Sequence, residues 1–136
     1  MHRGSAKGFG EMFMGWNRKS REARPQPTWK DVHRALARAK VQAKAYQHDG
    51  RHLDAERARG RVVGAERAIA VMDMANRGII PHECVADELL RLAEAYMKHA
   101  HTGVRTTRYD HRTAAEMLAC AARIADSTYG RCPSAA

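Results

Sequence analysis

The feature that most limits the fold of this chain is its shortage of large apolar side chains. Leu, Ile, Val and Phe together account for only 19 of the 136 residues. A share below roughly 20%, combined with a high net charge, is typical of disordered chains. Alanine, which has the highest helix propensity, is nevertheless abundant, and seven methionines add apolar volume. The sequence therefore predicts an all-α domain with a thin, alanine-rich core.

Composition divides the chain into a helical domain and two tails. Glycines and prolines recur through residues 1–27, and the run Arg18-Lys19-Ser20-Arg21 is strongly cationic. At Thr28 the sequence Thr-Trp-Lys-Asp resembles a capping box, with Asp in place of the usual Glu. We therefore predict a flexible basic tail with an aromatic anchor segment at 1–27, a helical domain at 28–130 and a C-terminal tail at 131–136.

Apolar residues recur at three- and four-residue steps in four segments of the domain. This spacing predicts four amphipathic helices, at about 29–47, 53–76, 81–101 and 109–128. Glycines at 50, 78 and 130 mark the ends of the first, second and fourth helices. The third has the clearest apolar stripe, which consists of Val85, Leu89, Leu92 and Tyr96.

Short connections favour antiparallel packing of consecutive helices, and hence an up-and-down bundle. A looser orthogonal array is the alternative. Gly60 and Gly64 fall inside the second helix, where each costs about 1 kcal/mol relative to Ala. Their presence predicts either a close contact with another helix or a local break.

The net charge of the chain lies entirely in its first half. Residues 1–64 carry 15 Lys and Arg against 6 Asp and Glu, whereas residues 65–136 carry nine of each. Basic residues of the first helix recur every four residues, roughly opposite the apolar stripe, and Arg favours bidentate phosphate contacts. The predicted nucleic-acid-binding residues are Arg18, Lys19, Arg21, Lys30, Arg34, Arg38, Lys44, Arg57, Arg59 and Arg61. The same charges are also compatible with a solvated helix face or with an acidic protein partner.

An aromatic segment precedes the helices. Phe9, Phe13 and Trp16 have i, i+4, i+7 spacing, with Met12 beside them. This is the anchor pattern of an amphipathic helix that docks in a groove, and it predicts a partner-binding role for these four residues. Packing of the segment back onto the thin core, base stacking and contact with a membrane surface are alternatives.

Motifs of catalysis are missing from the sequence. It contains no nucleophile elbow, P-loop or dinucleotide-binding fingerprint, and its histidines and three cysteines lack metal-type spacing. We therefore expect no enzymatic activity, cofactor or metal. No signal peptide and no membrane-length apolar stretch is visible, so we expect a cytoplasmic protein with reduced thiols.

Two functions agree with these features. The first is a non-enzymatic nucleic-acid-binding protein that contacts the phosphate backbone of DNA or RNA through its basic half. The second is a small adaptor or inhibitor, of the kind that phages and plasmids encode. It would bind a protein complex with an acidic or nucleic-acid-binding surface through the aromatic segment and the basic face. Because a thin core leaves little surplus stability, a partner or self-association would supply additional stability.

Overall fold

Four α-helices make up most of residues 25–102 and 108–132, which are the parts of the chain that the computed structural model describes. Helix α1 spans Trp29–His48, α2 spans His52–Asn76, α3 spans Val85–Thr102 and α4 spans His111–Tyr129. A short 3-10 helix, His82–Cys84, precedes α3, and these described residues contain no strand. The prediction of an all-α fold with four helices is confirmed.

The helix ends follow the predicted signals. The backbone N–H of Thr28 donates to Asp31 Oδ2 at 2.7 Å, which is one half of the capping box at the start of α1. Gly50 and Gly78 adopt φ angles of +75° and +80°. At the second of these ends Gly78 N–H donates to Ala75 O at 3.0 Å and Ile79 N–H donates to Met74 O at 2.9 Å. Together these bonds form a Schellman motif, which satisfies the last carbonyls of α2.

The third helix starts later than the apolar pattern indicates. Pro81 has an extended backbone, with φ −68° and ψ 147°, and Cys84 N–H donates to Pro81 O at 3.0 Å. This hydrogen bond joins residues three positions apart and closes a 3-10 turn, so the regular α-helix begins only at Val85.

The bundle is built around the pair α2 and α4, with α1 packed on α2 and α3 packed on α4. Helices α1 and α2 are antiparallel, because Gln47 contacts Arg59 and Lys40 contacts Glu66. Helices α2 and α4 run parallel, since Gly60 lies at Thr113 and Gly64 lies at Met117. The connectivity is therefore up-and-down, with close contact across the α2–α4 diagonal.

Glycine sets this diagonal contact. A Cβ at Gly60 would stand 2.5 Å from Asp110 O, and a Cβ at Gly64 would stand 2.7 Å from Ala114 O. Such distances are too short for a side chain, so the two backbones meet only because positions 60 and 64 carry none. Of the two predicted explanations for these glycines, close helix contact is confirmed, because α2 continues through both.

Alanine forms most of the core. The largest fully buried side chains of the core are Leu89, Met117, Leu118, Val32 and Val85. The apolar stripes predicted for α1 and α3 are only partly buried. Leu36, Leu92 and Tyr96 pack against the core from its edge and are only partly buried. The thin core predicted from composition is thus present, with small side chains at its centre.

Candidate nucleic-acid interface

Five basic side chains are exposed on the outer side of α1. Val32, Ala35 and Ala39 are the buried residues of this helix, and the opposite side carries the cations. We call this set the α1 cationic face; it consists of Lys30, Arg34, Arg38, Lys40 and Lys44, all exposed. At about 1.5 Å per residue the face extends over about 21 Å. Asp31 is the only acidic residue in the sequence of α1, so the face is strongly positive.

Four of the five residues were predicted from the sequence, and Lys40 is the addition. It lies beyond the four-residue repeat of Lys30, Arg34 and Arg38, so the periodicity did not include it. The outward side of the helix is nevertheless broad enough to expose it. Its Nζ lies 3.9 Å from Glu66 Oε2, with both side chains more than half exposed.

Ion pairs on this face are weak enough to be exchanged for a ligand. Arg34 Nη1 lies 3.2 Å from Asp31 Oδ1, and the Arg34 side chain is 71% exposed. Exposed pairs of this kind contribute about 0–1 kcal/mol to stability and are screened by salt. A phosphate that replaces such a carboxylate therefore meets little competition.

The arginines of α2 have different surroundings. Arg59 Nε donates to Arg108 O at 2.7 Å and its Nη1 donates to Gln47 Oε1 at 3.0 Å. Arg61 is half-buried and donates to Gln42 Oε1 at 3.1 Å; burial lowers its pKa below the ordinary value for arginine. These two side chains connect α2 to its neighbours. Arg57 is exposed and lies 3.7 Å from Asp54, so it is the one of the three most accessible to a ligand.

The other predicted binding residues lie outside the described residues. They are Arg18, Lys19 and Arg21 of the basic tail and Phe9, Met12, Phe13 and Trp16 of the aromatic segment. Their roles remain predictions from the sequence.

A cluster of aromatic rings lies where α3 ends and α4 begins. We call it the ring cluster; its members are Tyr96, His99, Tyr109 and His111. The His111 ring is 5.2 Å from that of His99, 4.7 Å from that of Tyr109 and 5.9 Å from that of Tyr96, centroid to centroid. Arg67 Nε donates to Tyr96 Oη at 3.2 Å. No pattern in the sequence indicates this cluster, because its members come from two helices and a connection.

Two members of the ring cluster, His111 and Tyr109, have shifted pKa values. Burial lowers the pKa of His111, the neighbouring His99 lowers it further, and Asp110 acts in the opposite direction. Burial also raises the pKa of Tyr109, and Tyr96 adds to this rise. His111 therefore favours the neutral form.

The histidines give no metal centre in the described part of the chain. No group of three or more His, Cys, Asp or Glu residues there could hold a metal ion. His48 and His52 lie on separate helices, because the turn at Asp49-Gly50 divides α1 from α2.

Comparisons with known proteins identify no relative. A scan against protein-family models, a search of curated proteins and a search of solved structures each find no match. Among the described residues, no helix combines the length and apolarity needed to cross a membrane. The interpretation of function therefore depends on the surface of the molecule.

Proposed function

We propose that this chain is a non-enzymatic protein that binds nucleic acid by contacting its phosphate backbone. The observation that supports the proposal best is the α1 cationic face, five exposed basic side chains on one side of one helix with a single acidic residue in that helix. Each Lys or Arg that neutralises a phosphate releases a condensed counterion, which drives binding.

The shape of the face favours backbone contacts over base readout. Its length of about 21 Å corresponds to about six base pairs of duplex, at about 3.4 Å per pair. Helices α1 and α2 form an antiparallel hairpin, whereas a helix-turn-helix motif holds its two helices at a wide angle with a recognition helix in the major groove. Contacts to phosphates position a protein on nucleic acid without reading sequence.

Fluorescence anisotropy tests this proposal. Labelled single- and double-stranded DNA and RNA are titrated with the full chain at about 50 and 200 mM salt. Four phosphate contacts with duplex DNA predict a slope of about −3.6 for log K against log salt, or about a 100-fold loss of affinity over this range. Absence of binding at the lower salt concentration would contradict the proposal.

A matched pair of variants locates the interface. Arg34→Glu combined with Arg38→Glu reverses two charges on the α1 cationic face and should lower affinity at least tenfold. Arg77→Glu combined with Arg91→Glu makes the same change in net charge at exposed positions, one directly after α2 and one on α3. The control should lose much less affinity. Equal losses in the two variants would mean that net charge, and not this face, governs binding.

The adaptor or inhibitor function remains the second candidate, and it depends on the aromatic segment. Under that hypothesis Phe13→Ala and Trp16→Ala would abolish binding to a protein partner, whereas they should change nucleic-acid affinity little.

A further inference from the structure

Two of the three cysteines meet at one end of the bundle. Cys84 is the last residue of the 3-10 helix before α3, and Cys132 follows the end of α4. Both are half-buried and both are free thiols. They lie 48 positions apart in the sequence, yet their thiols are near enough to interact. The spacing of the cysteines in the chain gave no indication of this pair.

Contacts on both sides of the thiols hold the two segments together. The rings of His82 and Tyr129 lie 4.9 Å apart, centroid to centroid. Arg131 Nε donates to Asp87 Oδ1 at 2.9 Å. One contact therefore precedes Cys84 and the other follows it, and both involve residues within three positions of Cys132. A disulfide needs the two Cα atoms within about 7 Å of each other, and these flanking contacts keep the two segments adjacent.

We propose that Cys84 and Cys132 form an intrachain disulfide that joins the end of α4 to the start of α3, and that a small-molecule disulfide is the oxidant. A thiolate of the pair attacks the oxidant, which gives a mixed disulfide and one released thiolate. The second cysteine loses its proton and attacks the protein sulfur of the mixed disulfide, which releases the other thiolate. Two electrons pass from the two protein thiols to the oxidant, which leaves as two reduced thiols.

The surroundings of the thiols bear on rate and selectivity. The hydrogen bond to Cys132 raises the pKa of Cys84 to about 11, so Cys84 keeps its proton at neutral pH and exchange should accelerate as pH rises. The third cysteine, Cys120, is buried in α4, where burial raises its pKa and its Sγ accepts a hydrogen bond from Arg123 Nη2 at 3.1 Å. Cys120 is therefore excluded from the exchange.

The test is oxidation of the full chain with oxidised glutathione at about pH 8, close to the ordinary pKa of a cysteine thiol. Thiols are then counted under denaturing conditions, and protease digests are compared by mass spectrometry with and without reductant. We expect two of the three thiols to disappear and a peptide linked through Cys84 and Cys132 to appear only without reductant. Thermal unfolding of the oxidised chain should occur at a higher temperature than that of the reduced chain.

Single variants give the matched controls. Cys84→Ser and Cys132→Ser should each abolish the linked peptide and the gain in melting temperature, whereas Cys120→Ser should retain both. Circular dichroism of each variant confirms that it is folded. Linkage through Cys120, dimers joined between chains, or glutathione left on Cys84 and Cys132 would overturn the proposal. An unchanged melting temperature in a linked chain would overturn the claim that the bond stabilises this end. Because α1 takes no part, the inference does not depend on the proposed nucleic-acid interface.

Discussion

Gly60 lies so close to the backbone carbonyl of Asp110 that a Cβ on it would stand 2.5 Å from that oxygen. Gly64, one turn later, meets Ala114 and Met117 in the same way. Glycine lowers the intrinsic stability of α2, yet it allows the backbones of α2 and α4 to approach. Close packing along the centre of the bundle offsets the local cost in a chain that has few large side chains to bury.

Replacement of Gly64 by alanine should therefore destabilise the domain, although alanine favours helix. The new Cβ would stand 2.7 Å from both Ala114 O and Met117 Cβ, and overpacking of this kind costs about 1–3 kcal/mol. Urea unfolding followed by circular dichroism measures the change. At Ala70, which is exposed on the same helix, the reverse change Ala70→Gly should also destabilise, by about 1 kcal/mol. A more stable Gly64→Ala variant would show that α4 moves away at no cost.

Truncation of Leu89 tests the core. Leu89 is fully buried in α3, and Leu→Ala changes at such sites cost about 2–5 kcal/mol. Because the core is so thin, we expect the Leu89→Ala variant to be largely unfolded. Thermal denaturation measures this loss of stability. Leu90→Ala is the control, because Leu90, the next residue in the sequence, is 37% exposed. Leu92, which the apolar stripe predicts as a core residue, is partly buried and should give an intermediate loss. Equal effects at 89 and 90 would contradict this orientation of α3.

Removal of the N-cap of α4 should destabilise the bundle where α4 meets α2. Asp110 Oδ2 accepts from Thr113 N–H at 3.1 Å, and Asp110 N–H donates to Glu56 O at 3.0 Å. Loss of an N-cap side chain costs about 0.5–2 kcal/mol, so Asp110→Ala should lower the free energy of unfolding by that amount in urea titrations. Asp110→Asn can still accept the capping bond and should lose less. If both variants lose the same amount, the charge and not the cap is responsible.

Stability should fall in mildly acidic solution through His111. Its pKa is lowered in the folded state by burial and by His99, so above its unfolded pKa of about 6.5 its contribution is fully present. As pH falls through that value the unfolded chain takes up the proton first, and the free energy of unfolding decreases. Denaturant titrations at about pH 7.5 and 5.5, which bracket that value, measure the drop, and His111→Gln should make it smaller. An identical drop in the variant would exclude this histidine as the cause.

Arg61 and Lys44 should separate stability from binding. Arg61→Ala removes a half-buried hydrogen bond to Gln42 and should reduce stability by about 1 kcal/mol. Lys44→Ala removes an exposed charge from the α1 cationic face and should leave the urea midpoint unchanged while it weakens nucleic-acid binding. The two readouts are urea unfolding and anisotropy at low salt. If Arg61→Ala weakened binding and Lys44→Ala lowered stability instead, the interface would lie on α2.

Local sequence signals predict the helices well because their causes are local. The residues that end α1 and α2 are glycines with positive φ, and the capping pair of Thr28 and Asp31 is separated by one helical turn. The exposed cations of α1, apart from Lys40, were predicted from the sequence of that one helix. Contacts between distant parts of the chain carry no such signal. The meeting of Cys84 with Cys132, and of His99 with His111, depends on how the helices pair across the bundle. Gly60 and Gly64 did indicate a close contact, but they did not identify α4 as the partner.

The arrangement of the helices has a consequence for the motion of the molecule. Helix α1 packs almost entirely on α2, and its buried residues are only Val32, Ala35 and Ala39. Detachment of α1 would therefore leave the α2–α4 contact intact. Amide protons of α1 should exchange with solvent through this local opening, faster than those of α2 and α4. A ligand bound along α1 would slow that exchange. The rate of amide exchange in α1 would therefore show whether the α1 cationic face is occupied.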